Sequence, residues 1–172
     1  EANFFARVID IEPKKMIDVL IAAEKFKGTS LVEILQNCVI FNDKVFSDVT
    51  HRDVKLDRQL WLEHGKPMIF GADQNKGLVL NGLKLEVVTI GENGVTESDI
   101  LVHDAYEVDS TLHNMLIEMS TPDFPVAFGV IRQVEGTSFD ENTWKQIEES
   151  KQNAKLSSVD ELINSGVTWE ID

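Results

Sequence analysis

Phe4-Phe5-Ala6-Arg7-Val8-Ile9, then Pro13 to about Lys27, then Ser30-Leu31-Val32-Glu33-Ile34-Leu35, is the stretch that decides the fold. The two outer segments are apolar runs of strand length. Between them Pro13 sits where a helix tolerates its first residue, because the N–H it lacks would be unpaired there anyway. Met16, Leu20, Ala23 and Phe26 recur every three or four residues, and Gly28 supplies the stop. Strand, helix and strand joined by short connections make a βαβ unit, which implies a parallel sheet and a right-handed crossover.

The second strand runs into Gln36-Asn37-Cys38-Val39-Ile40-Phe41-Asn42-Asp43, which holds the only cysteine of the chain. A lone cysteine is open to three readings: a small packed hydrophobe, a nucleophile, or one ligand of a cluster whose other ligands lie elsewhere. Its place at the carboxyl edge of a sheet favours a site, since open α/β folds bind ligands there.

Composition bounds the alternatives. With 172 residues and 42% hydrophobic content, the chain can build one core and an appended arm. Its longest apolar runs, such as Val19 to Ala23, fall far short of the roughly 18 residues a membrane span needs, and no signal segment opens it. The expected location is cytoplasmic, with no membrane partner. A net charge of -14 argues against nucleic acid, which is held by clustered Lys and Arg. A single cysteine excludes an internal disulfide. The chain begins with Glu1 and enters a strand at once, so it reads as a piece of something longer.

Beyond residue 42 the pattern changes. Residues 43–63 alternate charges with a few large apolar groups, which suggests a loop-rich flap with a short helix over 56–62. Residues 66–70 read as a short strand, and Gly77 to Ile90 as a hairpin turning at Asn81-Gly82. Leu112, Met115, Leu116 and Met119 mark a helix over 110–120 capped by Ser110 or Thr111, and 126–134 reads as a further strand. After Gly136 Glu and Lys dominate, a helix starts near Phe139 or Asp140, and a mobile or partner-dependent acidic tail is expected.

His51, His64, His103 and His113 are too scattered to form a zinc-binding pair, and His113 is assigned to the polar face of its helix. His64 stands in Leu62-Glu63-His64-Gly65-Lys66-Pro67, where Gly permits close backbone approach and Lys66 is held beside a rigid proline. Ordinary turns share that composition. No phosphate-binding glycine loop and no Gly-x-Ser-x-Gly elbow occurs, so nucleotide binding and serine hydrolysis have no support.

Four segments taken together resemble a known family: residues 27–38, Lys-Gly-Thr-Ser-Leu-Val-Glu-Ile-Leu-Gln-Asn-Cys; 40–43, Ile-Phe-Asn-Asp; 62–67, Leu-Glu-His-Gly-Lys-Pro; and 101–104, Leu-Val-His-Asp. The family is the β subunit of the 2-oxoacid:ferredoxin oxidoreductases, particularly the 2-oxoglutarate type, and the resemblance runs from about residue 1 to 135. It implies an α/β fold: the end of a doubly wound parallel sheet of the thiamine-diphosphate-binding kind, followed by an α+β carboxy-terminal region with a hairpin. Residues 1–42 would close the thiamine-diphosphate-binding domain, 43–135 would form the β-subunit carboxy-terminal region, and 136–172 a partly helical acidic tail.

Enzymes of this family decarboxylate a 2-oxoacid on thiamine diphosphate with Mg2+, pass electrons through a [4Fe-4S] cluster to ferredoxin, and release an acyl-CoA. The resemblance implies Cys38 as the last cluster ligand, an α subunit as obligate partner, and ferredoxin, a 2-oxoacid and coenzyme A as further partners. It places no catalytic residue in this segment. From its Gly-Lys-Pro rigidity and its position after the Cys38 segment, the 62–67 loop with His64 and Lys66 is expected to cover the cluster or the cofactor cleft. The Gly-Asp-Gly and downstream Asn of the diphosphate clamp, and the Cys-x-x-Cys of two further ligands, do not occur in these 172 residues. The isolated chain is therefore expected to be inactive. The competing reading is a non-catalytic α/β interaction module with Cys38 as a structural residue.

Overall fold

The computed structural model describes residues 2–169 and 171. The chain divides into two compact units, Glu1–Gly136 and Thr137–Asp172. The first has the expected α/β fold, with a sheet that is mixed where a parallel one was expected. Strand β1 (Phe4–Ile9), helix α1 (Pro13–Lys25) and strand β2 (Ser30–Leu35) form the βαβ unit, with β1 and β2 parallel and Phe4 level with Ser30. Alternation along β1 sends Phe4, Ala6 and Val8 to the face covered by α1, where they meet Val19, Met16, Ala23 and Phe26. Arg7 points to the opposite face and binds the Ile117 carbonyl at 3.2 Å.

Two more strands complete this sheet in the order β2-β1-β7-β3. Strand β7 (Val126–Gln133) lies antiparallel to β1, and β3 (Gln59–Leu62) lies parallel to β7. The sheet is therefore mixed, and its two halves run in opposite directions. At Gly129 the backbone has φ +98°, and a Cβ built there would stand 2.6 Å from the Leu62 carbonyl oxygen. Only glycine fits that crossing of β7 and β3.

The other face of the sheet packs against α4 (Thr111–Glu118) and a three-stranded antiparallel sheet, β4 (Ile69–Phe70), β5 (Lys76–Asn81) and β6 (Lys84–Thr89). Leu60, Leu62, Met68, Phe70, Leu78, Leu116, Ala127 and Ile131 close this second core. The hairpin forms where expected, but Asn81 pairs with Lys84, so the central turn residues are Gly82 and Leu83. Positive φ falls on Gly82 alone of the two, which is the pattern of a turn that needs glycine first.

Four readings of the sequence need correction. Residues 56–62 do not form a helix: one turn, α3 (Lys55–Arg58), gives way to β3. Leu60 and Leu62 are buried on one face while Trp61 stacks on Phe128 on the other, so pairing with β7 overrides local pattern. Residues 43–63 are accordingly not a flap; α2 (Ser47–Thr50) buries Val49 against Ile9 and Phe128. The strand expected over 66–70 shrinks to two residues, with Pro67, which has no N–H to give, left in an isolated bridge to Val102. His113 is buried rather than on a polar face, for reasons given below.

Helix α1 also turns differently from the expected stripe. Val19 is buried, whereas Leu20 is exposed together with Ile17 and Ile21. An apolar stripe lies on both sides of this helix. In the second unit, α5 (Phe139–Gln152) is started by a capping box, Ser138 Oγ accepting from the Glu141 N–H and Glu141 from the Ser138 N–H. A short α6 (Val159–Ile163) follows. Among the described residues no helix is long and apolar enough to cross a membrane.

Candidate functional site

Cys38 follows β2 by three residues, where the edge strand leaves the sheet. Asn37 builds the loop that carries it: its side-chain amide donates to Asp43 at 3.0 Å, its side-chain carbonyl accepts from the Lys44 N–H at 2.7 Å, and its own N–H donates to Asp10 at 3.2 Å. Lys44 takes φ +62° to close the turn, and the Asn42 N–H returns to the Cys38 carbonyl at 2.9 Å. The thiol is partly exposed. Hydrogen bonds from Phe41 and Ile40, with a smaller one from Asn42, hold its pKa below the ordinary thiol value against a small opposing effect of burial. Such a nest of N–H groups favours negative charge on sulfur. One face of the loop shows Val39, Ile40 and Phe41 to solvent, Phe41 at 90% exposure.

The second concavity is a cavity of about 390 Å³ on the α1 face of the sheet. Lys15, Asp18 and Val19 of α1 form one wall; Trp61 to His64, at the end of β3, form another; Ala105, Tyr106 and β7 close it. The Lys15 ammonium lies 4.1 Å above the Trp61 ring, and burial lowers its pKa against the raising fields of Glu12 and Glu63. His64 tilts against Tyr106 at 4.4 Å between centroids and places Nδ1 3.3 Å from Asp104. Lys66 does not line the cavity.

Beyond the cavity wall lies a polar cluster that sequence reading missed. Strand β3 stops opposite Gly129, and the next carbonyl on β7, that of Val130, accepts from His103 Nε2 at 3.0 Å. His103 is 1% exposed, and its Nδ1 has no partner among the described residues. Desolvation accordingly lowers its pKa. His113 Nε2 bonds the Asp104 carbonyl at 2.8 Å, and its Nδ1 meets Arg132 Nη1 at 3.0 Å. Histidines spaced ten apart in a loop and a helix carry no signal of this contact; only the fold of the 101–113 segment onto β7 creates it.

The structure does not bring Cys38 and the 62–67 loop together. They stand at opposite edges of the sheet, separated by three strand spacings of roughly 4.8 Å, or about 14 Å sideways. Because β7 and β3 run antiparallel to β1 and β2, the carboxyl ends of β2 and β3 also point to opposite ends. Within this unit the loop of His64 and Lys66 does not lie beside Cys38. Among the described residues no group of three or more His, Cys, Asp or Glu side chains is placed to hold a metal ion.

Comparison with known proteins finds a curated relative that is similar over the whole chain. The relative is the 2-oxoglutarate oxidoreductase subunit KorB of Mycobacterium tuberculosis (strain ATCC 25618 / H37Rv), 30% identical over 175 residues. The match takes in 100% of this chain and 46% of that protein, so the chain spans about half the length of the relative. No family model and no solved structure matches the chain.

Proposed function

We propose that the chain is a segment of the β subunit of a 2-oxoacid:ferredoxin oxidoreductase acting on 2-oxoglutarate, in which Cys38 gives one thiolate to a [4Fe-4S] cluster. The observation that carries this reading is the place of Cys38 in a loop past the edge strand, locked by Asn37 and similar in sequence to the family, where backbone N–H groups lower the thiol pKa. A cluster ligand must hold charge without a proton, and N–H donors to sulfur do that while tuning the cluster's potential. The donor set fits one corner of such a cluster, and the remaining three thiolates and the Mg2+-diphosphate clamp would come from outside these 172 residues. When bound, thiamine diphosphate supplies the carbanion chemistry and the cluster the one-electron path.

The chain's own part is then to present and shield one ligand. Asn37 locks the loop, and residues 1–42 form the end of the thiamine-diphosphate-binding domain, with 43–135 as the carboxy-terminal region. Leu31 and Ile34 on the open edge strand, Ile17, Leu20 and Ile21 on α1, and Val39 to Phe41 are exposed apolar residues. Surface of that kind calls for a covering partner, which the rest of the subunit and an α subunit would provide. 2-Oxoglutarate, coenzyme A and ferredoxin complete the reaction in the cytoplasm, and the isolated chain has no turnover.

The test is to produce the complete subunit with its α partner under anaerobic conditions and measure iron and sulfide in wild type and Cys38→Ala. Loss of the cluster in the variant supports the reading. Full iron, sulfide and oxoacid-dependent electron transfer in Cys38→Ala would overturn it and leave the chain a structural module.

A further inference from the structure

We propose that the cavity between α1 and the end of β3 binds a small organic cation, an ammonium or amidinium group carried on an aromatic or aliphatic body. This site is separate from the Cys38 loop, and the proposal does not depend on the oxidoreductase reading. Its lining is partly apolar: Val19 and Ala105 are buried, and Gly129 adds no side chain. A lining of that kind takes the body of a ligand, and the polar groups at the rim select its head.

The rim groups favour positive charge. Asp18 and Glu63 line the cavity, and neither carboxylate makes a hydrogen bond or an ion pair within 4 Å of any described residue; Glu63 acts only through its field on Lys15. Against them stands a single fixed cation, Lys15, so the lining is net negative in a chain that is already at -14. An anionic ligand would meet two unpaired carboxylates and one ammonium that is already engaged.

Lys15 itself shows what the site accepts. Its ammonium rests on the Trp61 ring at 4.1 Å, the geometry by which aromatic faces hold organic cations. Burial acts on that ammonium, and the carboxylates of Glu12 and Glu63 offset it. A second aromatic surface, Tyr106 with His64 tilted against it, stands across the cavity. At about 390 Å³ the space takes a ligand of one ring and a short amine arm.

The experiment uses phenethylammonium as the probe and phenylacetate, its anionic counterpart, as the control. Binding to the 172-residue chain is followed by NMR through the indole N–H of Trp61, which donates to Gln59 Oε1 at 2.9 Å and reports on this wall. The expected result is saturable binding of the cation at roughly millimolar Kd, the strength of a fragment-sized ligand. Binding should be at least tenfold weaker in Asp18→Asn with Glu63→Gln, and phenylacetate should not bind. Lys15→Met, which removes the competing ammonium and keeps its stem, should tighten cation binding several-fold. The proposal is overturned if phenylacetate binds as tightly as the cation, if the double variant binds unchanged, or if Lys15→Met weakens binding.

Discussion

Arg132 Nη1 donates to His113 Nδ1 across 3.0 Å in the interior of the first unit, and this contact fixes how the 101–113 segment sits on β7. Because His113 Nε2 faces a carbonyl, it must carry the ring proton, which leaves Nδ1 free to accept from the guanidinium. The same guanidinium donates to the carbonyls of Ala2 (3.2 Å), Glu107 (2.9 Å) and Val108 (3.0 Å). One buried cation thus satisfies four acceptors from three stretches of chain, none of them a carboxylate.

Replacing Arg132 with Met keeps much of its bulk and removes every one of those donors. Several acceptors are then left unpaired, at a cost of about 1–3 kcal/mol for each one that stays buried. The expected loss of stability is about 3 kcal/mol or more, read from urea unfolding. A change below about 1 kcal/mol would show that water replaces the guanidinium.

His103 makes stability depend on pH. Its ring is buried with Nε2 donating to Val130 and Nδ1 unpaired, so desolvation lowers its pKa from the usual value near 6.5. The unfolded chain takes up a proton that the folded chain refuses. Its contribution is therefore fully present above about pH 6.5 and is lost as pH falls from there to the lowered folded value, at no more than about 1.4 kcal/mol per pH unit. His103→Gln, which can still donate to Val130, should flatten that part of the stability profile between pH 7 and 5. An unchanged slope would assign the acid sensitivity to other groups.

Gly129 is held at φ +98° beside the Leu62 carbonyl. Alanine there combines a strained backbone with a steric conflict against main chain, which cannot move aside as a side chain could. Strain of this kind costs about 1–3 kcal/mol by itself. Gly129→Ala should therefore lower the melting temperature clearly and raise amide exchange along β3. Normal protection in β3 would mean that the strands slide without penalty.

Cys38 should behave as an activated thiol in the free chain. Its rate of alkylation by iodoacetamide should reach half-maximum below about pH 8.5, the midpoint of an ordinary cysteine. Asn37→Ala removes the two side-chain bonds that close the loop and should move the midpoint up toward that value. An identical midpoint in the variant would show that the N–H groups hold the sulfur without the Asn37 clamp.

The elements that repeat a local pattern were legible in the sequence. The βαβ unit, the hairpin over β5 and β6, α4, β7 and α5 all form, because periodicity, caps and turn residues act within a few positions of one another. The place of Cys38 past a strand end followed from the same local logic. Gln59-Leu60-Trp61-Leu62 shows where that logic stops, since four residues cannot declare whether they will pair with a strand more than sixty positions away.

What only the tertiary structure decided is direction and neighbourhood. Strand β7 enters beside β1 antiparallel, and that single choice sends the ends of β2 and β3 to opposite sides and parts Cys38 from His64. Burial of His113 and His103 beside β7, and the meeting of Lys15 with Trp61, depend on the same docking. The physical reason is that hydrophobic burial and hydrogen-bond satisfaction are properties of facing surfaces: a sequence specifies each surface, and only the folded chain brings two of them into contact.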